Sequence, residues 1–128
     1  MTVVALGFAA LAALLHVYIF VLESVLGTTP RARSTFGTTE EDAVVTKGLA
    51  FNQGFYNLFL AVLVVVGIVV AAAGGTAVGT TLVVAGTASM LAAALVLFTS
   101  DATKRRAATT QGALPLLSLV ALGIAGLV

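Results

Sequence analysis

The chain has 128 residues, of which 60% are hydrophobic and 9% are charged, and its formal net charge is +1. Soluble domains carry about 25% charged residues. This chain has too few charged groups to cover a surface in water, so we expect an integral membrane protein. The small net charge gives no indication of a nucleic-acid partner. The sequence has no cysteine and one histidine, which excludes disulfides, thiolate ligands and a multi-histidine metal site. It identifies no cofactor.

Four segments are apolar enough to cross a bilayer as helices, a crossing that needs about 20 residues. In chain order they are about Val3–Leu26, Leu49–Ala73, Thr76–Phe98 and Ala113–Val128. The first segment lacks a basic start and continues past the length of a signal-peptide core, so we expect it to be retained. The sequence thus predicts an all-α polytopic membrane protein, in which residues 1–128 form a single four-helix transmembrane domain.

The charged residues predict the orientation. All six Lys and Arg residues lie in the loops 27–48 and 99–112. An even number of spans separates these loops, so both lie on one side of the membrane, and the positive-inside rule makes that side cytoplasmic. We therefore predict a multi-pass plasma-membrane protein with both termini outside. Within the first loop, Thr38–Asp42 is typical of a helix start, with Thr38 and Glu41 as a capping box.

Two ionisable residues share a face of the first helix. His16 and Glu23 are seven residues apart, which at about 100° per residue brings them to the same side. Small residues let helices approach closely in lipid, and three alanines extend this face toward the N-terminus: Ala5, Ala9 and Ala12. The residues predicted to face lipid are Leu11, Leu14, Leu15, Tyr18 and Leu22.

A polar cluster begins the second helix, where a transmembrane helix normally carries apolar side chains. Its members fall within an arc of about 140°, and they are Asn52, Gln53, Tyr56 and Asn57, followed on the same side by Leu60, Val64, Gly67 and Ala71. The third helix has small residues at four-residue spacing, and the fourth offers two: Ala85, Ser89 and Ala93, then Ser118 and Gly123. We expect all these residues to form the inner faces of a bundle.

Depth along the helix axis indicates which polar groups meet, because the first two helices are antiparallel neighbours. Glu23 lies near the level at which the second helix begins. His16 and Asn57 lie deeper, about 13 Å from the membrane edge at 1.5 Å per residue. The predicted pairs are His16 with Tyr56 or Asn57, and Glu23 with Asn52 or Gln53.

The string HVYIFVLE, followed by TTPRAR, FG and NQGFYNLFLA, resembles a domain-of-unknown-function family of small four-helix bacterial membrane proteins. The resemblance covers about Leu15 to Ala61 in the family's usual order and spacing, while the last two spans match only as hydrophobic helices. The resemblance implies a four-helix membrane fold and no activity. The residues of interest that it indicates are six: His16, Glu23, Asn52, Gln53, Tyr56 and Asn57. The family pattern has a tryptophan near Gly27, whereas this chain has none.

Six polar groups at one end of a small bundle indicate a binding site, since a few convergent polar groups in an apolar cleft are typical of one. The candidate residues are His16, Glu23, Asn52, Gln53, Tyr56 and Asn57, with Arg31 and Arg33 as weaker candidates for contact with an anionic head group. We expect a small molecule or a lipid to enter this site from the cytoplasmic leaflet of the bilayer.

Two other functions remain open at this point. His16 and Glu23 could act as the acid–base pair of a membrane enzyme on a lipidic substrate, with Tyr56 or Asn57 as an oxyanion donor. The chain could also be an accessory or structural subunit of a larger complex, in which the polar residues fix the helix register. The stripe Ala85–Ser89–Ala93 fits an oligomer face equally well, so a homodimer is a further expectation.

Overall fold

The computed structural model describes residues 3–127, and all regular secondary structure in this range is helical. In chain order the α-helices are α1 (Val3–Phe20), α2 (Pro30–Phe36), α3 (Glu40–Val45), α4 (Lys47–Ala72), α5 (Thr76–Ser100) and α6 (Arg105–Leu127). A π-helical turn, Val21–Val25, extends α1, and a 3₁₀ turn, Ala102–Lys104, precedes α6. Four of these stretches are long and apolar enough to cross a membrane, which confirms the predicted all-α protein with four spans.

The four long helices pack as a bundle in which each helix contacts two neighbours. α1 packs against α4 and α6, and α5 packs against the same two helices from the opposite corner. The alanine face of α1 lies in the core as predicted, since Ala5, Ala9 and Ala12 are fully buried. The residues of α4 and α5 that complete this core are Ala61, Val64, Val83 and Met90.

Glycines let α4 and α5 approach more closely than side chains would allow. A Cβ atom on Gly67 would lie 2.8 Å from the backbone nitrogen of Val83 and 2.9 Å from the carbonyl oxygen of Gly79. One on Gly79 would lie 2.6 Å from the carbonyl oxygen of Gly67. Because the obstructing atoms belong to the backbone, they cannot rotate away, so the crossing depends on these two glycines.

The inner face of α5 differs from the predicted one. Ala85 and Ser89 are exposed, so the prediction that they face the core is wrong. Ala93 is also exposed, but it faces a cavity within the bundle. The buried residues lie mostly one position further along the helix: Gly79, Val83, Gly86, Thr87, Met90 and Ala94. The buried face of α5 is therefore rotated from the predicted one. The close crossing with α4 at Gly79 accounts for this rotation, since glycine allows a closer approach than alanine. The alternative, that the exposed stripe contacts a second copy of the chain, stays a prediction.

The π-helical turn changes which face of α1 is buried near its end. Leu22, which was predicted to face lipid, is 1% exposed, whereas Leu11 and Leu14 are exposed as predicted. A π-helical turn accommodates an extra residue within a helix. Residues in and beyond the turn are therefore rotated relative to the regular periodicity on which the prediction rested.

The fourth spanning helix begins at Arg105, well before the predicted start near Ala113. The added turns pack tightly against α5, since a Cβ atom on Gly112 would lie 2.8 Å from the Cβ of Ala94. Because the helix begins at Arg105, Pro115 lies inside it. Ser118 is buried as expected for an inner residue, whereas Gly123 is exposed.

The linker between α1 and α4 contains two short helices, of which the sequence analysis identified only the second. Thr29 caps α2 by accepting a hydrogen bond from the amide of Ala32, and Pro30 occupies the first position of the helix. Gly37 ends it with a left-handed conformation, φ = 62°. A threonine–proline start and a glycine end are recognisable in the sequence.

The second short helix begins within Thr38–Asp42, as predicted, but with a different cap. The hydroxyl of Thr39 accepts a hydrogen bond of 3.1 Å from the amide of Asp42 and donates one of 2.8 Å to its carboxylate. The predicted capping pair, Thr38 with Glu41, is therefore shifted by one residue, which leaves Thr38 free to face the interior.

Replacing Gly67 by alanine should destabilise the bundle by about 1–3 kcal/mol, because the added methyl group overpacks the backbone of α5. Gly7→Ala is the matched control, since it adds the same methyl group to a spanning helix at a place where no atom lies within 4 Å. Thermal unfolding in a mild detergent measures the difference. Equal unfolding midpoints for the two variants would contradict the close crossing of α4 and α5.

Candidate functional site

A cavity of about 410 Å³ lies inside the bundle at the end that carries the charged loops. Its wall combines residues of the four long helices with residues of the linker. Five of the six predicted site residues line it: His16, Glu23, Gln53, Tyr56 and Asn57. The sixth, Asn52, is exposed on α4 and does not line this cavity. The structure thus brings most of the predicted polar cluster to one space.

The central contact of the site joins Glu23 to Asn57. The side-chain amide of Asn57 donates a hydrogen bond of 3.0 Å to a carboxyl oxygen of Glu23. The same amide nitrogen donates to the main-chain oxygen of Gln53 at 3.1 Å, which holds its orientation. The prediction that Glu23 pairs with Asn52 or Gln53 is therefore wrong, although a partner from the same polar cluster is present.

The direction of the side chains explains this difference. In an α-helix each Cα–Cβ bond tilts toward the N-terminus. Because α1 and α4 run antiparallel, the side chain of Glu23 leans deeper into the bundle, while that of Asn57 leans back toward the charged loops. The two side chains therefore meet at a depth between those of the Glu23 and Asn57 backbones. The predicted pairs rested on the depth of the backbone positions alone.

Gly54 allows α4 to contact the end of α1 directly. A Cβ atom there would lie 3.1 Å from the Cβ of Glu23 and 3.2 Å from the carbonyl oxygen of Phe20, and it would collide with the hydroxyl of Ser24. That hydroxyl donates a hydrogen bond of 2.8 Å across the interface to the carbonyl oxygen of Phe51. These contacts hold the two helices in register next to the carboxyl–amide pair.

Glu23 is the middle residue of the π-helical turn, Val21–Val25. Such turns are rare, interrupt the regular hydrogen-bond pattern of the helix and are frequent at functional sites. The turn contains neither proline nor glycine, which are the usual causes of a local deviation in a helix. We therefore connect the deviation with the contacts that Glu23 and Ser24 make to α4.

His16 lies about two turns deeper in α1 and is 2% exposed. Its Nδ1 donates a hydrogen bond of 2.9 Å to the carbonyl oxygen of Ala12, which leaves Nε2 as the acceptor of the neutral ring. The prediction that His16 pairs with Tyr56 or Asn57 is wrong, since among the described residues its partner is its own helix. It remains part of the cavity wall.

The two arginines proposed as head-group contacts do not line the cavity. The guanidinium of Arg31 lies 5.9 Å from the centre of the Tyr18 ring, which is a cation–π distance. Arg33 forms an ion pair of 3.2 Å with Glu40. Both side chains thus have partners within the protein, and the structure gives them no contact with the inner cavity.

Polar residues that the sequence analysis did not assign to the site line the cavity near the loops. They are Thr38, Thr46, Asp101, Lys104 and Gln111. A hydrogen bond from the hydroxyl of Thr103, joined by one from its amide, holds the pKa of Asp101 below its ordinary value, so this acid is ionised at neutral pH. The sequence indicates these residues only weakly, because they lie in or next to the predicted loops. The packing of the helices brings them to the cavity.

Lys104 connects the two charged loops. Its ammonium group donates hydrogen bonds to the carbonyl oxygens of Phe36 and Gly37 at the end of α2. The C-terminal end of a helix carries partial negative charge, so a lysine is favourable there. This contact holds α2 over the open end of the bundle and closes part of the cavity.

A family model described as "Protein of unknown function (DUF1304)" matches residues 10–123, a range that includes all the candidate site residues. No curated protein and no solved structure matches the chain.

Replacing Asn57 by leucine should lower the free energy of unfolding by about 1–2 kcal/mol, because Glu23 loses its hydrogen-bond donor within the membrane. Asn52→Leu is the matched control: it removes the same kind of side chain from an exposed position on the same helix. Denaturation of both variants in mixed detergent micelles measures the difference. A loss of equal size in the two variants would show that the Glu23–Asn57 contact contributes nothing specific.

Proposed function

Since the chain belongs to the DUF1304 family of proteins of unknown function, we propose that it is a small integral membrane protein that binds a small molecule or a lipid in the cavity beside Glu23. The observation that carries this proposal is the Glu23–Asn57 pair in the wall of that cavity.

The energetics of Glu23 favour a ligand over a purely structural role. An ionised side chain costs up to about 2.5–3.5 kcal/mol within a transmembrane helix, whereas an interhelical hydrogen bond contributes about 0.6–2 kcal/mol. Glu23 lies near one end of its span, where this cost is smaller, and Asn57 supplies one of the several hydrogen bonds that a carboxyl group can accept. Among the described residues the ion pair that forms is Arg33–Glu40, so Glu23 has no cation within ion-pair distance, although Lys104 lines the same cavity. A ligand that donates to the carboxyl group would supply further hydrogen bonds.

The cavity suits a ligand with a polar end and an apolar body. Its volume of about 410 Å³ falls in the range of ligand pockets, about 300–1,000 Å³. Asn57 is the one described side chain that donates to Glu23, and a carboxylate can accept several hydrogen bonds, so the ligand should bring N–H or O–H donors. The apolar part of the wall includes Leu22, Leu60 and Leu97.

Catalysis by His16 and Glu23 is less well supported by this geometry. The two residues are about 10 Å apart along the axis of α1, at 1.5 Å per residue, and His16 donates Nδ1 to Ala12. They do not form a direct acid–base pair, so a reaction would need both to contact the substrate separately. A chemically altered ligand would favour the enzyme. Co-purification with a larger protein, without any small ligand, would favour an accessory subunit.

We further propose that the loops 27–48 and 99–112 lie in the cytoplasm, because they contain all the Lys and Arg residues. The polar end of the cavity would then open toward the cytoplasmic leaflet of the plasma membrane. A ligand could enter from that leaflet without crossing the bilayer.

The orientation can be measured by labelling, because the chain has no cysteine of its own. Val45→Cys lies in the first charged loop and Ala77→Cys at the other end of the bundle, and both positions are exposed. A membrane-impermeant maleimide should label Ala77→Cys on intact cells and label Val45→Cys only after permeabilisation. The reverse pattern would place the charged loops outside.

Native mass spectrometry of the protein from a mild detergent tests the binding site. Wild type should retain a discrete additional mass, and Glu23→Gln and Asn57→Leu should lose at least about tenfold in its retention, which corresponds to about 1.4 kcal/mol. Asn52→Leu should retain the ligand like wild type, since it lies outside the cavity. If all four samples are ligand-free and Asn57→Leu differs only in being less stable, the polar cluster has a structural role.

A further inference from the structure

A second cavity, which we call the outer groove, has a volume of about 490 Å³ and lies between α1, α2 and α6. The residues that α1 contributes are mainly apolar and include Leu15, Ile19 and Leu22. The residues from the loop and α6 include two cations, Lys104 and Arg106, and none of the described lining residues is acidic. The inner cavity differs in this respect, because Glu23 and Asp101 line it.

Four of the five hydroxyl groups that line the outer groove, all except the phenol of Tyr18, already donate to other atoms. Ser34 and Thr35 both donate to the carbonyl oxygen of Arg31, and Thr110 donates to that of Arg106. Thr103 donates to the carboxylate of Asp101 at 2.6 Å. These hydroxyls are therefore not the groups that would recognise a ligand in the groove.

The remaining donors are the phenol of Tyr18, the amide of Gln111 and two cations, and the cations are the strongest of them. The guanidinium of Arg106 has no hydrogen-bond or ion-pair partner among the described residues, and it carries five N–H groups. Lys104 donates to Phe36 and Gly37 and has a third N–H left, since an ammonium group has three. An anion with several acceptor oxygens fits these two side chains best, because arginine binds phosphate in a bidentate manner.

We infer that the outer groove binds an anionic phospholipid, with its phosphate on Arg106 and Lys104 and an acyl chain along Leu15 and Ile19. The fourth stretch that is long and apolar enough to span begins at Ala102, so Arg106 lies one turn from its end, where we expect the lipid phosphates. Basic pockets between transmembrane helices are known to recognise such head groups. The apolar wall selects a lipid over free phosphate, because an inorganic anion would leave it uncovered.

This site does not depend on the function proposed for the inner cavity. The two cavities share part of a wall, formed by Leu22, Phe36, Lys104, Ala107 and Gln111. The groups that define their chemistry are different, however: Arg106 lines only the outer groove and Glu23 only the inner cavity. Variants at these two positions can therefore separate the two sites.

Arg105 and Arg106 provide a matched pair of variants. Arg105 points away from the groove: its guanidinium lies 5.1 Å from the centre of the Phe98 ring, and its Nε donates to the Phe98 carbonyl at 3.3 Å. Arg105→Gln and Arg106→Gln therefore change the net charge equally, at neighbouring positions, while only the second removes a charge from the groove. Neither change disturbs the buried core, because both side chains are exposed.

The experiment uses the full chain in nanodiscs of phosphatidylcholine that contain a minor fraction of phosphatidylglycerol, with bound lipid counted by native mass spectrometry. Wild type should retain phosphatidylglycerol preferentially. Arg106→Gln should reduce this preference about tenfold, as expected for the loss of a charge-assisted contact, and Arg105→Gln should stay within about twofold of wild type. Asn52→Leu should retain the lipid like wild type, since Asn52 lines neither cavity.

Three results would overturn the inference. Equal losses in Arg105→Gln and Arg106→Gln would mean general attraction to a basic surface. Equal retention of phosphatidylcholine and phosphatidylglycerol by wild type would mean that the groove recognises no charge. Displacement of the bound lipid by millimolar inorganic phosphate would mean that the site takes the free anion.

Discussion

The contact between Gly54 and the π-helical turn of α1 is the constraint on which the inner cavity depends. A side chain on Gly54 would collide with Ser24 and crowd Glu23. Because glycine has no side chain, the backbone of α4 can contact these two side chains directly. The hydroxyl of Ser24 can then reach the Phe51 carbonyl across the interface. With that register established, the carboxyl group of Glu23 extends past the contact to Asn57. The site is therefore a consequence of one close approach between two antiparallel helices.

The sequence predicted the large features because they follow from the bilayer itself. Four apolar spans and the alanine face of α1 are consequences of hydropathy and helical periodicity, and the structure has both. The same periodicity fails at Leu22, Ala85 and Ser89, because a π-helical turn and a glycine crossing rotate helices in ways that a constant 100° per residue does not represent. The pairing of Glu23 with Asn57 differs from the predicted pairs because side chains tilt along the helix axis, so backbone depth alone does not identify partners.

The two cavities put opposite charges on either side of one wall. Lys104 belongs to that wall and also holds α2 in place through Phe36 and Gly37, so the linker, the outer groove and the inner cavity are mechanically connected. The groups that define the two sites differ, since Arg106 lines only the outer groove and Glu23 only the inner cavity. Under our two proposals, a lipid would occupy the outside of the bundle and a donor-bearing ligand would occupy its interior.

The way in which the spans satisfy their other polar groups makes Glu23 stand out. The hydroxyls of Thr81, Thr87 and Ser89 each donate to the carbonyl four residues earlier in their own helix, and His16 does the same with Ala12. Such groups need no partner from another helix. Ser24 and Ser118 do reach across helices, but each donates to a backbone carbonyl. Glu23 differs from these groups because it is ionisable to an anion, and its hydrogen-bond donor, Asn57, is a side chain of another helix. This difference is the physical basis of our proposal that its carboxyl group contacts a ligand.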